Sequence, residues 1–417
     1  MQKLFTFPEN FYFGAATASH QIEGGQNNNW TRFEHANAER LAKESEAAFA
    51  WNPHWSKFKS EATNPENYIS GAACDHWNRY EEDFDILVSL GLNSYRFSIE
   101  WSRIEPGESI FSEEALDHYE AMLIALQKRG ITPFVTLWHW TLPLWLADQG
   151  GLTSNDFPYH FERYTQKVVN RLGKYVHFWI TLNEPDVVAS HSYLIGHWPP
   201  QKKNPFAYLK AERQLVQAHK QSYQMLKAYN KDNQVGIAKH QVAFVMLRPT
   251  LTNRVLKFLA DQFWNRPWLR KIKHYQDFIG LNHYHRHCID NGYGKNPNLV
   301  QTDFGWEYCP ESLTQALIEL KGYKLPIYIT ESGVADADDT LRQDFIPRVL
   351  KAVARGIEAG ADVRGYLHWS FLDNFEWDKG FWLRFGLIQV DFKTQTRTIR
   401  QSARMYAEIS QKRQIEL

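Results

Sequence analysis

Cysteine is scarce in this sequence, which argues against a fold that is cross-linked by disulfide bonds. Cys74, Cys288 and Cys309 are an odd number, and no two of them have the C-x-x-C spacing of a redox or zinc motif. Buried free thiols fit a reducing compartment, so we expect a cytoplasmic protein. Residues 8–10, Pro-Glu-Asn, agree with this, because they interrupt the apolar run that a signal peptide would need.

An excess of charge of either sign is also lacking. Lys plus Arg and Asp plus Glu both total 47, so the formal net charge at pH 7 is zero. No overall field would attract nucleic acid or an anionic membrane. Long hydrophobic runs are missing too, since no stretch reaches the roughly 18 apolar residues of a membrane helix. We therefore expect neither a nucleic-acid nor a membrane partner.

Aromatic residues, by contrast, are abundant. Phe, Trp and Tyr make up 15% of the 417 residues, and 16 of them are Trp. Many of these rings will fill a core, but an excess of Trp also suits a pocket that stacks flat, hydroxylated ligands. No linker, low-complexity tract or charge block divides the chain, so we predict one domain over residues 1–417.

Strand-like and helical runs alternate along the chain. Between helical runs such as 112–130, where Ser112 is a candidate N-cap and Gly130 a stop, eight runs are typical of strands. They are residues 11–18, 93–101, 132–140, 176–184, 234–241, 277–285, 325–331 and 363–371. Because parallel neighbours need crossover connections, the pattern predicts an α/β fold, a single (β/α)8 TIM barrel with long βα loops. An open doubly wound sheet is the alternative.

The region between the first two strands is predicted to be a long loop. Residues 26–74 contain only short helical pieces by this interpretation, the clearest being 38–50. Loops at the carboxyl end of a barrel carry the active site, so we expect this loop to form part of the active-site wall.

Two of the predicted strands end in a carboxylate, Glu184 and Glu331. In a barrel, polar residues at the carboxyl ends of the strands share one cavity, which would collect Arg96, His139, Trp140, Asn183, Glu184, Asn282, Tyr284, Glu331 and Trp369. Two acids among aromatics and amides suggest cleavage of a glycosidic bond, with about 5–5.5 Å between the carboxyls for a retaining enzyme. The residue before a proline is held extended, so we predict an extended backbone at Glu184, which precedes Pro185. Strict alternation would turn Asn183 and Glu184 to opposite faces of the strand, so we also predict a bulge there.

Several motifs in order along the chain make it resemble glycoside hydrolase family 1. They are FYFGAATASHQIEG (11–24), YRFSIEWSRIEP (95–106), LWHWTLP (137–143), WITLNEPD (179–186), YITESG (328–333), WSFLDNFEW (369–377) and RFGLIQVDF (384–392). The resemblance implies a (β/α)8 barrel and a retaining β-glycosidase that uses no cofactor. It also implies that Glu331 is the nucleophile and that Glu184 is the general acid/base.

The same resemblance implies roles for the residues around the two acids. Arg96 and Tyr284 would support the charged nucleophile, and Asn183 would bind the sugar 2-hydroxyl. The other implied substrate-binding residues are Gln21, His139, Trp140, Asn282, Trp369, Glu376, Trp377 and Phe385. Burial and the charge of Glu331 would keep Glu184 protonated at neutral pH.

The substrate is expected to be a neutral, non-phosphorylated β-glucoside, β-galactoside or β-fucoside, or an oligosaccharide that carries one. Family members that act on 6-phosphorylated sugars typically have Ser, Lys and Tyr where this chain has Glu376, Leu383 and Phe385. A carboxylate there would repel phosphate. Departures from the family pattern at Ser332 and His283, and at Trp138 and Thr141, bear on fine specificity. The chain is also shorter than most family members, in the loops before and after FIGLNHYH (278–285), which shape the leaving-group side of the site.

Three other interpretations stay open at this point. His283, His285 and His287 alternate, so one strand face could present them to a metal ion and make a metal-dependent hydrolase. A barrel can also keep a sugar pocket without activity. A glycosyl-enzyme can be captured by an alcohol, which would make a transglycosidase. The sequence leaves open whether the protein forms a homo-oligomer.

Overall fold

Eight parallel strands close into a barrel in a computed structural model that describes residues 3–417. The strands are β1 (Tyr12–Ala16), β2 (Ser94–Ser98), β3 (Thr132–Trp138), β4 (Phe178–Asn183), β5 (Gln234–His240), β6 (Ile279–Asn282), β7 (Ile327–Ser332) and β8 (Val363–Trp369). Each strand pairs with its neighbour in the chain, and β8 pairs with β1. The predicted (β/α)8 barrel is confirmed, and each strand lies within a predicted run except β7, which extends one residue beyond it to Ser332.

Helices surround the barrel. Those within residues 3–417 are α1 (Ser19–Ile22), α2 (Asn29–Phe49), α3 (Trp55–Ala62), α4 (His76–Ser89), α5 (Trp101–Ile104), α6 (Glu113–Lys128), α7 (Leu144–Asp148), α8 (Phe157–Leu172), α9 (Pro185–Ala189), α10 (Pro205–Tyr229), α11 (Leu251–Ala260), α12 (Arg266–Lys271), α13 (Ser312–Leu320), α14 (Thr340–Glu358) and α15 (Gln401–Lys412). Short π-helical turns follow α9 and α11. In the described chain, no helix has the length and apolarity needed to cross a membrane.

An aromatic layer fills the inside of the barrel. Phe134 of β3 and Phe178 of β4 stack with their ring centroids 4.3 Å apart, and Tyr328 of β7 lies 5.3 Å from each. Tyr12 of β1 contacts Phe178 at 5.5 Å although their strands are not neighbours, so these rings must point inward. This layer closes the barrel beneath the carboxyl ends of the strands and gives the polar groups there a rigid apolar support.

The prediction of short helical pieces in residues 26–74 is wrong. Residues 29–49 form one helix of 21 residues, α2, and a second helix, α3, follows. The side chain of Asn28 caps α2 by accepting from the backbone N–H groups of Trp30 and Thr31, at 2.9 and 3.0 Å. The segment nevertheless walls the cavity as expected, because Phe49 at the end of α2 lines it.

The predicted strand 277–285 is only four residues long. β6 ends at Asn282, and the chain then forms a separate strand, Arg286–Ile289, that pairs in parallel with Ala243–Met246 outside the barrel. His283, His285 and His287 therefore do not share one strand face. Two further strand pairs also lie outside the barrel, Leu4–Thr6 with Gln414–Glu416 and Ile388–Val390 with Arg397–Ile399.

Candidate active site

A cavity of about 750 Å3 opens at the carboxyl ends of the barrel strands. Glu184 and Glu331 both line it, as do eight other predicted residues: His139, Trp140, Asn183, Tyr284, Trp369, Glu376, Trp377 and Phe385. Arg96, Gln21 and Asn282 are not among the lining residues. They lie behind the wall and reach the site through hydrogen bonds to the residues that form it.

Glu331 is held as a hydrogen-bond acceptor on both carboxylate oxygens. The guanidinium of Arg96, which is fully buried in β2, donates to Oε1, and the Tyr284 hydroxyl donates to Oε2 at 2.7 Å. A register irregularity between Ile329 and Glu331 turns the carboxylate into the cavity near the end of β7. An ion pair and a hydroxyl donor both favour the charged form of a carboxylate.

Glu184 lies in a different environment. The residue is 6% exposed, and Asn282 donates to its Oε1 at 3.0 Å. Burial, and then the charge of Glu331, raise the pKa of Glu184 well above its ordinary value. A protonated acid and a paired carboxylate therefore share one cavity.

The backbone at Glu184 departs from the expectation drawn from Pro185. The residue is not extended but left-handed, with φ 42° and ψ 57°, and its N–H donates to the carbonyl of Ala238 at 2.8 Å. Pro185 disfavours the right-handed helical region for the residue before it, and the left-handed region also satisfies that restriction. The predicted irregularity is present, since the register of β4 on β5 shifts between Ile180 and Asn183.

A network of amides joins the two acids. Asn183 Oδ1 accepts from Arg96 at 2.7 Å and from Asn282 at 3.1 Å, so its Nδ2 must be the donor toward His139 Nε2 at 3.0 Å. The His139 proton is then on Nδ1, which has no partner among the described residues. Burial, and then the charge of Arg96, lower the pKa of His139 well below its ordinary value, so the ring is neutral. The second N–H of Asn183 Nδ2 and the Nδ1–H of His139 thus have no hydrogen-bond partner among the described residues.

Gln21 and Glu376 form a second polar corner of the cavity. Gln21 Nε2 donates to the carbonyl of Phe375 at 2.8 Å and to Glu376 at 3.4 Å, whereas its Oε1 is buried without a partner among the described residues. Burial, and then the charge of Glu331, raise the pKa of Glu376 to about 8. At neutral pH this carboxyl is largely protonated in the free site, so its contribution to repelling phosphate is smaller than a full charge would give.

Aromatic rings form the wall beside these polar groups. The His139 ring is nearly parallel to those of Trp369 and Trp377, at 6.0 and 5.9 Å, and Trp377 contacts Trp140 at 4.6 Å. Trp140 and Trp377 have positive φ angles of 80° and 50°, like Glu184, although none is glycine. Such strained backbone is concentrated at functional sites, where the surrounding structure holds it in place.

The family motifs in the sequence did not indicate the residues that form the rest of the cavity wall. The loops after β4, β5 and β6 supply a loop wall made of His191, Trp198, Phe244, Trp264, His285, His287, Tyr293 and Trp306. Only the general abundance of aromatic residues could have signalled it.

His283 is not part of this wall, because its two ring nitrogens contact the Gln241 carbonyl at 2.7 Å and the Ser312 hydroxyl at 2.8 Å. Within residues 3–417, no cluster of side chains has the arrangement of a metal site.

The cavity at the mouth of the barrel thus combines a buried acid, a carboxylate paired with Arg96 and aromatic walls, which is the chemistry that cleavage of a glycosidic bond requires. The model of glycosyl hydrolase family 1 matches residues 3–269 and 265–415. The chain therefore belongs to glycosyl hydrolase family 1.

Relatives and solved structures match over almost the full chain. The 1,4-beta-D-glucan glucohydrolase of Thermotoga neapolitana is 33% identical over 97% of this chain and 98% of its own length. Beta-glucosidase A of Thermotoga maritima is 32% identical, with 97% of both chains covered. The structure of a beta-glycosidase from Pyrococcus horikoshii superposes with a TM-score of 0.86 at 36% identity, covering 100% of this chain and 97% of that one.

Proposed function

We propose that this protein is a retaining β-glycosidase that hydrolyses terminal, non-phosphorylated β-D-glucosides, with β-D-galactosides and β-D-fucosides as further substrates. One observation carries the proposal. Glu331 and Glu184 share a cavity, and Arg96 and Tyr284 stabilise the charge of the first while burial keeps the second protonated. Because the two carboxyls have different environments, they can be given different roles: Glu331 is the nucleophile and Glu184 is the general acid.

In the first step, Glu331 attacks the anomeric carbon and forms an ester bond to the sugar. The bond from that carbon to the leaving oxygen breaks, and Glu184 transfers its proton to this oxygen. The leaving group departs as an alcohol, and Glu184 is now a carboxylate. With Glu331 neutralised by the ester, the charge that helped to raise the pKa of Glu184 has gone, so the carboxylate is stable enough to act next as a base.

In the second step, Glu184 removes a proton from water, and the resulting hydroxide attacks the anomeric carbon. The ester bond breaks, Glu331 regains its charge beside Arg96, and the sugar leaves with its original β configuration. Asn183, His139 and Trp369 line the cavity, so we assign the unpaired N–H groups of the first two to sugar hydroxyls and the Trp369 face to the sugar ring. A hydrogen bond from Asn183 to the 2-hydroxyl would strengthen as positive charge develops on the ring.

The cavity wall has no unpaired Lys or Arg among the described residues, which supports a neutral sugar. Lys379 is the single Lys or Arg that lines the cavity in the described chain, and its ammonium pairs with Asp378 at 2.7 Å. Leu383 and Phe385 provide no donor for a phosphate. The names of the relatives agree, since they are glucosidases and glucohydrolases, and a beta-galactosidase of Sulfolobus acidocaldarius is 30% identical over 80% of this chain.

A panel of nitrophenyl glycosides tests the proposal. It contains α- and β-glucosides, β-galactosides, β-fucosides and 6-phospho-β-glucosides, and we expect hydrolysis of the non-phosphorylated β compounds alone. NMR of the first product should show the β anomer. Glu331→Gln should abolish hydrolysis without loss of fold, which separates an enzyme from a sugar-binding barrel. Cleavage of α-glucosides only, or first release of the α anomer, would refute the mechanism.

A further inference from the structure

A buried ion pair links the segment that carries Glu184 to the neighbouring strand. Lys239 of β5 donates from Nζ to Asp186 Oδ2 at 2.7 Å, and the two side chains are only 1% and 7% exposed. Asp186 follows Glu184 by two residues, in the first turn of α9. Lys239 directly follows Ala238, whose carbonyl accepts from the Glu184 N–H. The ion pair therefore joins the same two chain segments that this backbone hydrogen bond joins.

The pair lies behind the cavity wall. Neither Lys239 nor Asp186 is among the residues that line the cavity, so we assign neither of them a contact with substrate. The Lys239 ammonium also donates to the backbone carbonyl of His240, whose ring does line the cavity. Any effect of the pair on the reaction must therefore pass through the residues beside it.

Stability alone does not account for this pair. Removing two charges from water costs free energy, which their attraction repays only when the remaining polar atoms are bonded as well. Asp186 Oδ1 is buried without a partner in the described chain, so Lys239 is the one donor to this carboxylate there. Well-packed apolar side chains of similar volume are often as stable as a buried ion pair. Its place beside Glu184 suggests a role in the proposed reaction.

The backbone at Glu184 needs support from its surroundings. Left-handed backbone at a residue other than glycine is strained and persists only where neighbouring contacts hold it. On one side of the turn, the Glu184 N–H is bound to Ala238 of β5. On the other side, the Glu184 carbonyl accepts from the N–H groups of Val187 and Val188 in α9, at 3.1 and 3.2 Å. The ion pair ties this first turn of α9 to β5.

The pair also places one charge of each sign near the Glu184 carboxyl. Burial, the charge of Glu331 and the Asn282 donor have the largest effects on the pKa of Glu184. Asp186 then raises this pKa and Lys239 lowers it, so the two charges partly offset each other. The other titratable groups near these side chains are Glu331, Tyr284, Glu212, Tyr208 and His240. None of them changes in the variants described below.

We propose that Lys239 and Asp186 are positioning residues for Glu184: their ion pair holds the left-handed turn in place and balances the two charges that act on the Glu184 carboxyl. The proposal rests on the glycosidase function proposed above and adds two residues to it. Lys239 lies outside all of the motifs that relate the chain to its family. A fixed turn keeps the carboxyl within reach of the leaving oxygen, and balanced charges leave burial and Glu331 to determine when it holds its proton.

The pH dependence of kcat/KM on methyl β-glucoside tests the balance of charges, because this leaving group needs the proton of Glu184. Asp186→Asn leaves the Lys239 charge alone and should move the alkaline decline down by about 0.5–1 pH unit. Lys239→Met leaves the Asp186 charge alone and should move the decline up by a similar amount. The double variant carries neither charge and should decline within about 0.3 pH unit of wild type. A purely structural role would lower activity in all three variants without moving any decline.

The double variant also tests the positioning of the turn. Because it leaves no unpaired buried charge, it should fold even where a single variant does not. We expect its kcat/KM on methyl β-glucoside to fall about tenfold. The burst of dinitrophenol from 2,4-dinitrophenyl β-glucoside, which needs no proton from Glu184, should fall far less.

Lys227→Met provides the matched control. Lys227 of α10 pairs with Asp277 at 3.1 Å, and Asp277 accepts from the Val235 N–H at the other end of β5. This variant loses a Lys–Asp pair on the same strand but far from Glu184. It should lower the Tm and leave both the rate at 25 °C and the pH profile as in wild type.

The remaining outcomes count against one part of the proposal or another. Shifts of the same sign in the two single variants, or no shift in either, overturn the balance of charges. Wild-type kcat/KM on methyl β-glucoside in the double variant overturns the positioning, and so do equal losses on both substrates. If circular dichroism shows that neither single variant folds, the rates and the decline of the double variant decide alone. Failure of the wild type to cleave any β-glucoside refutes the proposed function instead.

Discussion

At the scale of single residues, protonation of Glu184 distinguishes the two catalytic candidates. Replacing it by Gln removes the transferable proton but keeps the size and the contact from Asn282. General acids contribute about 10^2–10^4-fold, so we expect Glu184→Gln to lower hydrolysis of methyl β-glucoside by about that factor. A 2,4-dinitrophenyl leaving group needs no proton, and formation of the glycosyl-enzyme from it should fall far less in a pre-steady-state burst assay.

The pH dependence supplies the control for this prediction. Because the pKa of Glu184 is raised and its protonated form is active, wild-type kcat/KM should fall as pH rises above that pKa. In Glu184→Gln this alkaline decline should vanish for the dinitrophenyl substrate, whereas Glu331→Gln should be inactive on both substrates. Equal losses on both substrates in Glu184→Gln would show that another group is the acid.

The raised pKa of Glu376 predicts that the stability of the folded protein depends on pH. Its pKa is 4.5 in the unfolded chain and about 8 in the folded protein, so the folded state binds more protons between these values. By linkage, the free energy of unfolding falls as pH rises from 4.5 to 8, by on the order of 3 kcal/mol at pH 7. Glu376→Gln removes this loss, so its Tm should exceed that of wild type by about 3 °C at pH 7–8.

The same variant should match wild type near pH 4.5, where both side chains are neutral. Scanning calorimetry at pH 4.5, 6 and 8 measures the difference. A Tm difference that is constant across this range would mean that the carboxyl is not the titrating group. Activity should fall in Glu376→Gln, because Glu376 lines the cavity and an amide in place of the carboxyl changes the hydrogen bonds that this position can form with a sugar hydroxyl.

At the scale of elements, the backbone around the nucleophile is closely packed at Gly333. A Cβ at this position would lie 1.7 Å from the carbonyl oxygen of Trp369 and 2.8 Å from its carbon. Because both are backbone atoms, the end of β7 would have to move away from β8 and carry Glu331, two residues earlier, with it. We expect Gly333→Ala to lower stability by about 2–4 kcal/mol and kcat/KM by about 100-fold.

Gly322 offers the matched control for this substitution. A Cβ there would meet no atom within 4 Å, and the φ of Gly322 is not positive. Gly322→Ala should therefore leave activity unchanged and Tm equal or slightly raised. Urea unfolding and initial rates measure both variants. Wild-type activity in Gly333→Ala would show that the junction between β7 and β8 does not position Glu331.

Elements with a strong local pattern could be predicted from the sequence. The eight barrel strands are apolar runs bounded by turn residues, and Ser112 caps α6 as expected, accepting from the N–H of Ala115 at 3.1 Å. Because the strands are parallel, their order also determines that Glu184 and Glu331 reach one cavity. The family motifs then indicated cavity residues such as Glu376 and Trp377, which lie outside the eight predicted strands.

Features that depend on tertiary contacts could not be predicted in this way. The left-handed turn at Glu184 is stabilised by its bond to Ala238 of another strand, and propensity rules favoured an extended residue. β6 ends at Asn282 because the following residues pair with 243–246, a segment about 40 residues earlier in the chain. The loop wall likewise combines side chains from three loops, and each alone looks like ordinary aromatic sequence.

At the scale of the whole molecule, the active site and the chain termini belong to opposite ends of the barrel. Strand 414–416 pairs with strand 4–6, and the Leu417 N–H donates to the carbonyl of Lys3 at 2.8 Å. Arg413 donates to the carbonyls of Pro8 and Phe11, just before β1 begins. The catalytic residues lie at the carboxyl ends of the strands, so stability and catalysis should be separable by changes at the termini.

Deleting residues 414–417 tests this separation. The deletion removes the strand pair and the burial of Ile415, which is 6% exposed, and should lower stability by about 2–4 kcal/mol. For a chain of this length that corresponds to a Tm about 2–4 °C lower, whereas kcat/KM on a nitrophenyl β-glucoside at 25 °C should stay within about twofold. Ile415→Ala should reproduce part of the loss, and Glu416→Ala, at the exposed neighbouring position, should not. A large fall in kcat/KM with unchanged Tm would mean that the terminal strands position the catalytic end of the barrel rather than close the other one.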